Sequence, residues 1–310
     1  MTEPAAGPAS IDDLPGTGRA SAIAHHGEVL QGVFGQADGP PVAALVTLPF
    51  PLLCSTAVFA PHAGPELEVQ PAWRVKARAA ATAALRWLGH EHGGVLQVRS
   101  DIPVERGCGS STADVVSSIQ AVATALRRPL AAEDVARIAV AAEGAADGVM
   151  FGERAVLFAN REGRVLEDLH GRLPPVQVLG LDLGAGVDTL ALPPIRYSAA
   201  ELDDFDALRS LLRRAVGEAS TELLAQVAAA SAEINQRHRP NPAFALATAI
   251  CQRSGALGLQ AAHSGTVLGL LYDPAAAGLP DQLTTAHALL REAGVGSVRD
   301  YRLPWPAGQQ

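Results

Sequence analysis

The interpretation of the whole chain depends on one stretch, Ile102-Pro103-Val104-Glu105-Arg106-Gly107-Cys108-Gly109-Ser110-Ser111-Thr112-Ala113-Asp114. It follows a predicted strand, Val95 to Val98, and leads into a helix predicted to begin at Ser110 or Ser111 and to run to about Leu126. Backbone N–H groups at the start of such a helix can point at one anion, and glycine allows close backbone approach and positive φ. The loop therefore predicts a phosphate-binding cradle, although glycine and serine alone would also fit an ordinary connection to a capped helix.

The whole string resembles the phosphate-binding motif of the GHMP kinases, Pro-x-x-x-Gly-Leu-Gly-Ser-Ser-Ala, in register. Its ending, Ser-Ser-Thr-Ala-Asp, is similar to the version in L-threonine kinases of cobalamin metabolism. The resemblance implies that the loop binds the triphosphate of ATP and that the Ser111 hydroxyl helps to hold Mg²⁺, which phosphoryl transfer needs to neutralise charge on the β- and γ-oxygens. The residues implied in ATP binding are Pro103, Gly107, Cys108, Gly109, Ser110, Ser111 and Thr112.

Two further segments resemble motifs of the same family and follow the family's order along the chain. Residues 25–34, His-His-Gly-Glu-Val-Leu-Gln-Gly-Val-Phe, are similar to the Gly-Glu-Leu-x-Gln-Gly of threonine kinases, and residues 261–270 resemble the third motif in its His-Ser-Gly-(Ser/Thr) form. Taken singly, they would be a turn beside a surface carboxylate and a simple strand connection. Together with the loop they imply an acceptor site that includes His26, Glu28, Gln31, Ser264 and Gly265.

The general base is predicted at Asp147, because a substrate hydroxyl must lose its proton as it attacks the γ-phosphorus. Residues 142–151 resemble the Glu-Pro-Thr-Asp-x-x-Met-Phe stretch of threonine kinases, whose aspartate aligns with the GHMP base. Glu143 is then implied as a second Mg²⁺ ligand. It lies one residue farther from Asp147 than in that relative and the Pro-Thr pair is gone, so a solvated carboxylate at a helix end fits Glu143 equally well.

A basic residue is missing just before the first motif, where many relatives carry one and this chain has Ser21. Arg19, Arg106 or Lys76 could supply a positive charge for the transition state, although each also fits a solvated surface position. The sequence leaves this contact open.

The histidines that adjoin the motifs are His25, His26 and His263. No carboxylate or cysteine stands at ligand spacing around them, so hydrogen bonds to substrate or loops are expected in place of a metal site. Asp188-Thr189 resembles a Val-Asp-Thr element of the threonine kinases and implies a contact with a substrate ammonium; an Asx-turn is the alternative.

Composition excludes several classes of protein. The chain has 310 residues and a net charge of -8, which gives no basic footprint for nucleic acid or an anionic membrane. Lys76, the only lysine, is followed by Ala77 and Arg78, so a Walker-type phosphate loop is absent. No apolar run is long enough to cross a bilayer, and a cytoplasmic location is expected. The three cysteines are widely spaced and are interpreted as buried thiols.

The pattern along the chain predicts a tail over residues 1–18 and then alternating elements. In the first part, strands are expected at 43–48 and 55–60, bounded by Pro49, Pro51 and Pro61, with helices at 74–88 and 132–142 and a hairpin joining 156–159 to 165–169. A proline-rich shift at 173–175 marks a domain boundary. Beyond it, strands are expected at 176–183, 257–262, 267–272 and 296–302, and helices at 199–216, 220–236, 242–254 and 281–293.

The resemblance implies an α+β fold of two domains, a GHMP ATP-binding domain over residues 19–172 and a C-terminal ferredoxin-like domain over residues 173–310. The first would carry the family's left-handed βαβ crossover, which runs against the general right-handed rule. The implied function is ATP-dependent phosphorylation of the hydroxyl of a small metabolite, L-threonine or a related hydroxy amino acid.

Other acceptors stay open, namely homoserine, serine, a specialised metabolite, an isoprenoid or a sugar alcohol. A GHMP-fold sensor without catalysis is the alternative from another class, and the intact loop together with Asp147 argues against it. The acceptor and the oligomeric state, for which a homodimer is one option, depend on surfaces that no motif specifies.

Overall fold

A computed structural model describes Ile11 and residues 16–36, 39–104, 106–182, 195–262 and 266–304. Most of the predicted tail, residues 1–10 and 12–15, lies outside this set. The strands are β1 (Gly18–Phe34), β2 (Val42–Pro61), β3 (Leu67–Gln70), β4 (Gly94–Ser100), β5 (Val156–Ala159), β6 (Arg164–Asp168), β7 (Val176–Asp182), β8 (Gly258–Ala261), β9 (Val267–Tyr272) and β10 (Val298–Leu303). The helices are α1 (Val75–Trp87), α2 (Ser110–Ala125), α3 (Ala132–Glu143), α4 (Ala199–Gly217), α5 (Thr221–His238), α6 (Phe244–Ser254) and α7 (Leu279–Glu292).

The strands form one sheet in the order β10-β7-β9-β8-β1-β2-β4-β3, and the β5–β6 hairpin attaches to β2. Neighbours along this path are antiparallel except β3 and β4, which are parallel and are joined through α1. This βαβ unit lies where the left-handed crossover was expected, and its handedness stays a prediction.

The two strands expected at 43–48 and 55–60 are one strand, so the prediction that prolines separate them is wrong. Pairing with β1 jumps from Cys54 opposite Ile23 to Phe50 opposite Ala24, which leaves residues 51–53 as extra residues in β2. A bulge of this kind tolerates proline, because the ladder is already interrupted there. A second irregularity in β1 lies between His25 and Glu28, where Gly27 has φ +64°.

Helix α2 is the central helix of the N-terminal half. Eleven of its residues are buried, and it packs against β1, β2, α1 and α3. Helix α1 contributes a small-residue face of Ala77, Ala80, Ala81 and Ala84, which lets it lie close to α2. Burying apolar surface around α2 is the main force that fixes the loop at its N-terminus, since hydrophobic burial is the dominant favourable term in folding.

The two halves of the sheet meet where β1 pairs with β8, and in the described part of the chain this pairing joins Glu28 to Ala261. A second apolar cluster lies on the C-terminal side and includes Leu179, Ile250, Leu268 and Tyr272. The predicted boundary between residues 172 and 173 lies just before β7, and it stays a prediction. No helix in the described ranges is long and apolar enough to cross a membrane.

Candidate active site

The predicted phosphate loop leads directly into α2. Gly107 and Gly109 both have positive φ, +79° and +70°, and Gly109, not a serine, is the N-cap. No side chain caps this helix end. The first N–H groups of a helix have no partner within the helix and carry its positive dipole, so this turn fits an anion such as phosphate.

The loop packs tightly on β1. The backbone N–H of His25 donates to the Cys108 carbonyl at 3.1 Å, and a Cβ added to Gly109 would lie 2.1 Å from Cδ2 of the His25 ring. Only glycine fits both the backbone conformation and this contact. Cys108 is buried, and burial, helped by the charge of Asp182, raises the pKa of its thiol to about 11.

Two carboxylates converge on the first turn of α2. The Ser111 hydroxyl donates to Oε2 of Glu143 at 2.6 Å, and the Thr112 hydroxyl lies 3.0 Å from Oε1 of Glu143 and 3.2 Å from Oδ2 of Asp147. Glu143 is buried, so the alternative that it is a solvated helix-end carboxylate is wrong. Thr112 therefore links the predicted base to the predicted nucleotide loop.

Local backbone contacts hold Asp147 in place. Gly144 ends α3 in the left-handed conformation, with φ +83°. Ala146 N–H donates to the Asn160 carbonyl at 2.9 Å, and Gly148 N–H donates to the Thr47 hydroxyl at 2.8 Å. These bonds tie the segment to the β5–β6 hairpin and to β2, so the carboxylate is carried by fixed backbone.

His25 faces Asp147, with Nε2 3.0 Å from Oδ2, while its Nδ1 lies 3.2 Å from the Gly27 carbonyl and 3.9 Å from Oε1 of Glu28. Burial disfavours the charged imidazole, but Asp147 and Glu28 outweigh it and raise the pKa of His25 to about 9. Burial likewise opposes ionisation of Asp147, yet His25 and Thr112 hold the pKa of Asp147 below its usual value. The two side chains form an ion pair.

Glu143 has the opposite shift. Burial raises its pKa to about 7, and the nearby charge of Asp147 adds to this, whereas the Ser111 hydroxyl and Lys76 work against it. Lys76 lies in the first turn of α1 with Nζ 3.7 Å from Oε2 of Glu143. The only lysine of the chain thus reaches the site from a distant part of the sequence.

Other predicted residues lie at varying distances from this cluster. The Thr266 hydroxyl donates to Oδ1 of Asp182 at 3.1 Å, and Arg106 Nη1 lies 3.5 Å from the same oxygen, which brings the third motif beside the phosphate loop. Arg19 lines a separate depression with Gln97 and Arg99. Pro103 is half-buried ahead of the loop. His263, Ser264, Gly265, Asp188 and Thr189 lie outside the described residues.

The first motif divides between two environments. Glu28 is buried beside His25, whereas His26 turns away, with Nδ1 3.0 Å from Oε1 of Gln260 and its ring edge against Phe50. Burial lowers the pKa of His26 to about 4, so it is a neutral core residue, and the structure does not bring it to Asp147. Gln31 is half-buried, and its backbone N–H donates to the Ser231 hydroxyl.

Asp114, the last residue of the loop motif, makes contacts that hold α2 in the fold. It is buried, accepts a 2.6 Å hydrogen bond from the Ser55 hydroxyl and pairs with Arg74. These bonds fasten α2 to β2 and to the start of α1. A buried carboxylate with both partners in place is costly to break, because removing one partner leaves an uncompensated charge.

A cavity of about 100 Å³ adjoins the residues that follow Asp147. Its walls are mainly apolar and include Ile23, Val46 and Leu303. The two arginines in its lining are engaged elsewhere, since Arg154 pairs with Glu133 and Asp168, and Arg172 with Glu153. The cavity therefore presents mainly apolar surface, and the two arginines in its lining are paired with carboxylates.

Metal-ligating groups do stand near one another, contrary to the expectation for the histidines. His25, Glu28 and Asp147 each place a ligand atom within 4.8 Å of the others. The oxygens of Ser111 and Glu143 are a better fit to Mg²⁺, which prefers hard oxygen ligands. Glu143 is buried and its pKa is raised, so a divalent cation would stabilise its charged form.

The fold and this site resemble those of the GHMP kinases. A family model described as GHMP kinases N terminal domain matches residues 74–152, which contain the loop and both carboxylates. A homoserine kinase from Cytophaga hutchinsonii has the same fold, with a TM-score of 0.68, 14% identity and coverage of 94% of this chain and 95% of that chain. Residues 74–152 therefore match this family, and the predicted α+β GHMP kinase fold is confirmed.

Two further proteins are similar to this chain, one in sequence and one in fold. The L-threonine kinase of Salmonella typhimurium is 28% identical over 181 residues, 57% of this chain and 59% of that enzyme. The aligned region thus covers about three fifths of the curated relative. A mevalonate kinase from methicillin-resistant Staphylococcus aureus MRSA252 shares the fold with a TM-score of 0.57 and 15% identity, over 93% of this chain and 99% of that chain.

Proposed function

We propose that this protein transfers the γ-phosphoryl group of ATP to the hydroxyl of a small metabolite, with L-threonine or a related hydroxy amino acid as the acceptor. The observation that carries the proposal is the bridge made by Thr112, which sets Asp147 beside the first turn of α2. Phosphoryl transfer needs a base and a triphosphate cradle held side by side, because catalysis consists mainly of positioning and charge stabilisation.

The loop and the helix N-terminus would bind the phosphates. Gly107 and Gly109 let the backbone approach closely, and the uncapped N–H groups at the start of α2 would donate to the phosphate oxygens. Mg²⁺ held by Ser111 and Glu143 would offset negative charge on the triphosphate oxygens. Lys76 lies close enough to Glu143 to add a second positive charge.

Asp147 would accept the proton of the acceptor hydroxyl as its oxygen bonds to the γ-phosphorus and the bond from that phosphorus to ADP breaks. Its side chain is about one quarter exposed, at 23%, so it can meet a small molecule. A carboxylate whose pKa is held low is ionised at neutral pH and thus able to take a proton, and general base catalysis of this kind contributes about 10² to 10⁴ in rate.

The choice of a hydroxy amino acid rests on the curated threonine kinase relative and on one charged pair. An α-amino acid needs a cation for its carboxylate and an anion for its ammonium. Arg106 and Asp182 offer both beside Cys108 in the phosphate loop. Homoserine carries the same two groups, so it belongs in the same test. The cytoplasmic location and a homodimer stay predictions.

A coupled ADP-release screen with Mg-ATP tests the proposal. L-threonine, L-homoserine and L-serine are compared with threoninol, which lacks the carboxylate, and N-acetyl-L-threonine, which lacks the ammonium. Asp147→Asn should lower kcat by about 10² to 10⁴ while leaving nucleotide affinity within a few-fold. Turnover of an isoprenoid or sugar alcohol alone would refute the acceptor class, and Mg-ATP binding without turnover on any alcohol would support a sensor.

A further inference from the structure

His25 sits between the two parts of the proposed catalytic centre. Its backbone N–H binds the Cys108 carbonyl of the phosphate loop, its ring packs on Gly109, and its Nε2 faces Oδ2 of Asp147. Its side chain is buried, with 4% of the surface exposed, so it has no freedom to turn to solvent. One side chain therefore touches both the nucleotide loop and the base.

The geometry favours an ion pair over a metal site. Nε2 of His25 and Oδ2 of Asp147 lie 3.0 Å apart, which is hydrogen-bond distance. Nδ1 is occupied by the Gly27 carbonyl, which can only accept a hydrogen bond, so Nδ1 must be the donor there. A ring with protons on both nitrogens satisfies both contacts and cannot ligate a metal.

The contacts to Asp147 are also asymmetric. Among the described residues, the side-chain donors to this carboxylate, His25 and Thr112, both reach Oδ2. Oδ1 is left for another hydrogen, and the partial exposure of Asp147 makes it accessible. A carboxylate fixed through one oxygen presents the other in a defined direction.

We propose that His25 is the positioning residue of Asp147, donating from Nε2 to Oδ2 so that Oδ1 points at the acceptor hydroxyl. This inference rests on the proposed kinase function and extends it, because it assigns a residue that orients the proposed base. The charged groups facing the ring are Asp147 and Glu28, and Lys76 approaches Asp147 from α1. The raised pKa of His25 agrees with a charged donor at neutral pH.

Two substitutions separate the donor from the volume of the ring. His25→Gln keeps an N–H near the position of Nε2, and His25→Asn is too short to do so. We expect kcat to fall about 10- to 100-fold in His25→Asn and to recover at least about fivefold in His25→Gln, with KM for ATP changing less than about threefold. Equal losses in both variants, or unchanged kcat in His25→Asn, would overturn the proposal.

A matched control exists in the C-terminal half. His238 pairs with Glu201 at 2.8 Å, so His238→Asn removes a histidine–carboxylate contact of nearly the same length outside the site. It should leave kcat within about twofold of the parent. A fall in nucleotide affinity as large as the fall in kcat in His25→Asn would show a structural role for the ring and overturn the proposal.

A readout without turnover separates this inference from the kinase function. Side-chain ¹⁵N NMR of the parent should show both His25 nitrogens protonated at neutral pH, and Asp147→Asn should bring the pKa of His25 down toward the ordinary value for imidazole. An unchanged His25 titration in Asp147→Asn would refute the pair even in an active enzyme. If Asp147→Asn shifts the His25 titration as expected but the parent phosphorylates no alcohol, the ion pair is supported and the kinase function is refuted.

Discussion

Replacing Gly109 by alanine tests the contact between the phosphate loop and His25. The new Cβ would lie 2.1 Å from Cδ2 and 2.7 Å from Nε2 of His25, and 3.4 Å from Oδ2 of Asp147. Ordinary van der Waals contact begins near 3.4 Å, so the ring and the loop would have to separate by about 1.3 Å. The ring cannot yield freely, because its backbone binds Cys108 and its Nε2 binds Asp147.

The expected loss of stability has two parts. Alanine in the left-handed conformation of Gly109, at φ +70°, costs roughly 1–2 kcal/mol. Forcing a methyl group into a packed site adds typically about 1–3 kcal/mol. The variant should therefore lose about 2–5 kcal/mol, and Mg-nucleotide affinity should fall by at least about tenfold because the loop moves.

Gly294→Ala is the matched control. Gly294 also has positive φ, +75°, but an added Cβ meets nothing within 4 Å. It should lose only about 1–2 kcal/mol, with nucleotide binding unchanged. Urea unfolding gives the stabilities, and isothermal titration with a nonhydrolysable Mg-nucleotide gives the affinities.

Two outcomes would contradict the contact between Gly109 and His25. Equal stabilities of Gly109→Ala and Gly294→Ala would mean that the loop does not pack on His25 as described. In a His25→Ala background the clash disappears, so Gly109→Ala should then cost only the backbone strain. A double-mutant cycle that shows no coupling between the two positions would contradict the contact.

Two further predictions concern charge. Lys76→Met should raise the pKa of Glu143 above its value of about 7, since Lys76 favours the carboxylate; nucleotide binding should then need more Mg²⁺ at pH 7, and titration at higher pH should remove the difference. Glu201, whose pKa is lowered to about 2 by the Ser198 backbone and then by His238, stabilises the start of α4 fully above pH 4.5 and less as the pH falls toward 2. Glu201→Gln should cost about 1 kcal/mol at neutral pH, and urea midpoints of parent and variant should converge in acid; a constant gap would contradict this.

The local parts of the site could be predicted from the sequence. The strand, loop and helix around Gly109 are specified by neighbouring residues, and the predicted helix to Leu126 agrees with α2, which ends at Ala125. Glu143 and Asp147 both reach the Thr112 hydroxyl because they lie close together in the chain. Their assigned roles stay predictions, because positions alone do not test a reaction.

The nonlocal parts could not be predicted. Which of His25 and His26 faces the base depends on the bulge at Gly27, and a shift of one residue exchanges the two sides of a strand. Lys76 reaches Glu143 only through the packing of α1 beside α2 and α3. β2 is a single strand because Pro51 falls in a bulge, which a pattern of strand-breaking residues does not indicate.

The thiol in the middle of the phosphate loop is shielded from oxidants and alkylating reagents by burial. Cys108 stands where the family motif has leucine, and with a pKa of about 11 only about one molecule in ten thousand carries a thiolate there at pH 7. Because sulfur chemistry proceeds through the thiolate, the side chain behaves as an inert apolar filler. The loop proposed to bind nucleotide therefore carries a thiol of low reactivity between the two glycines that shape it.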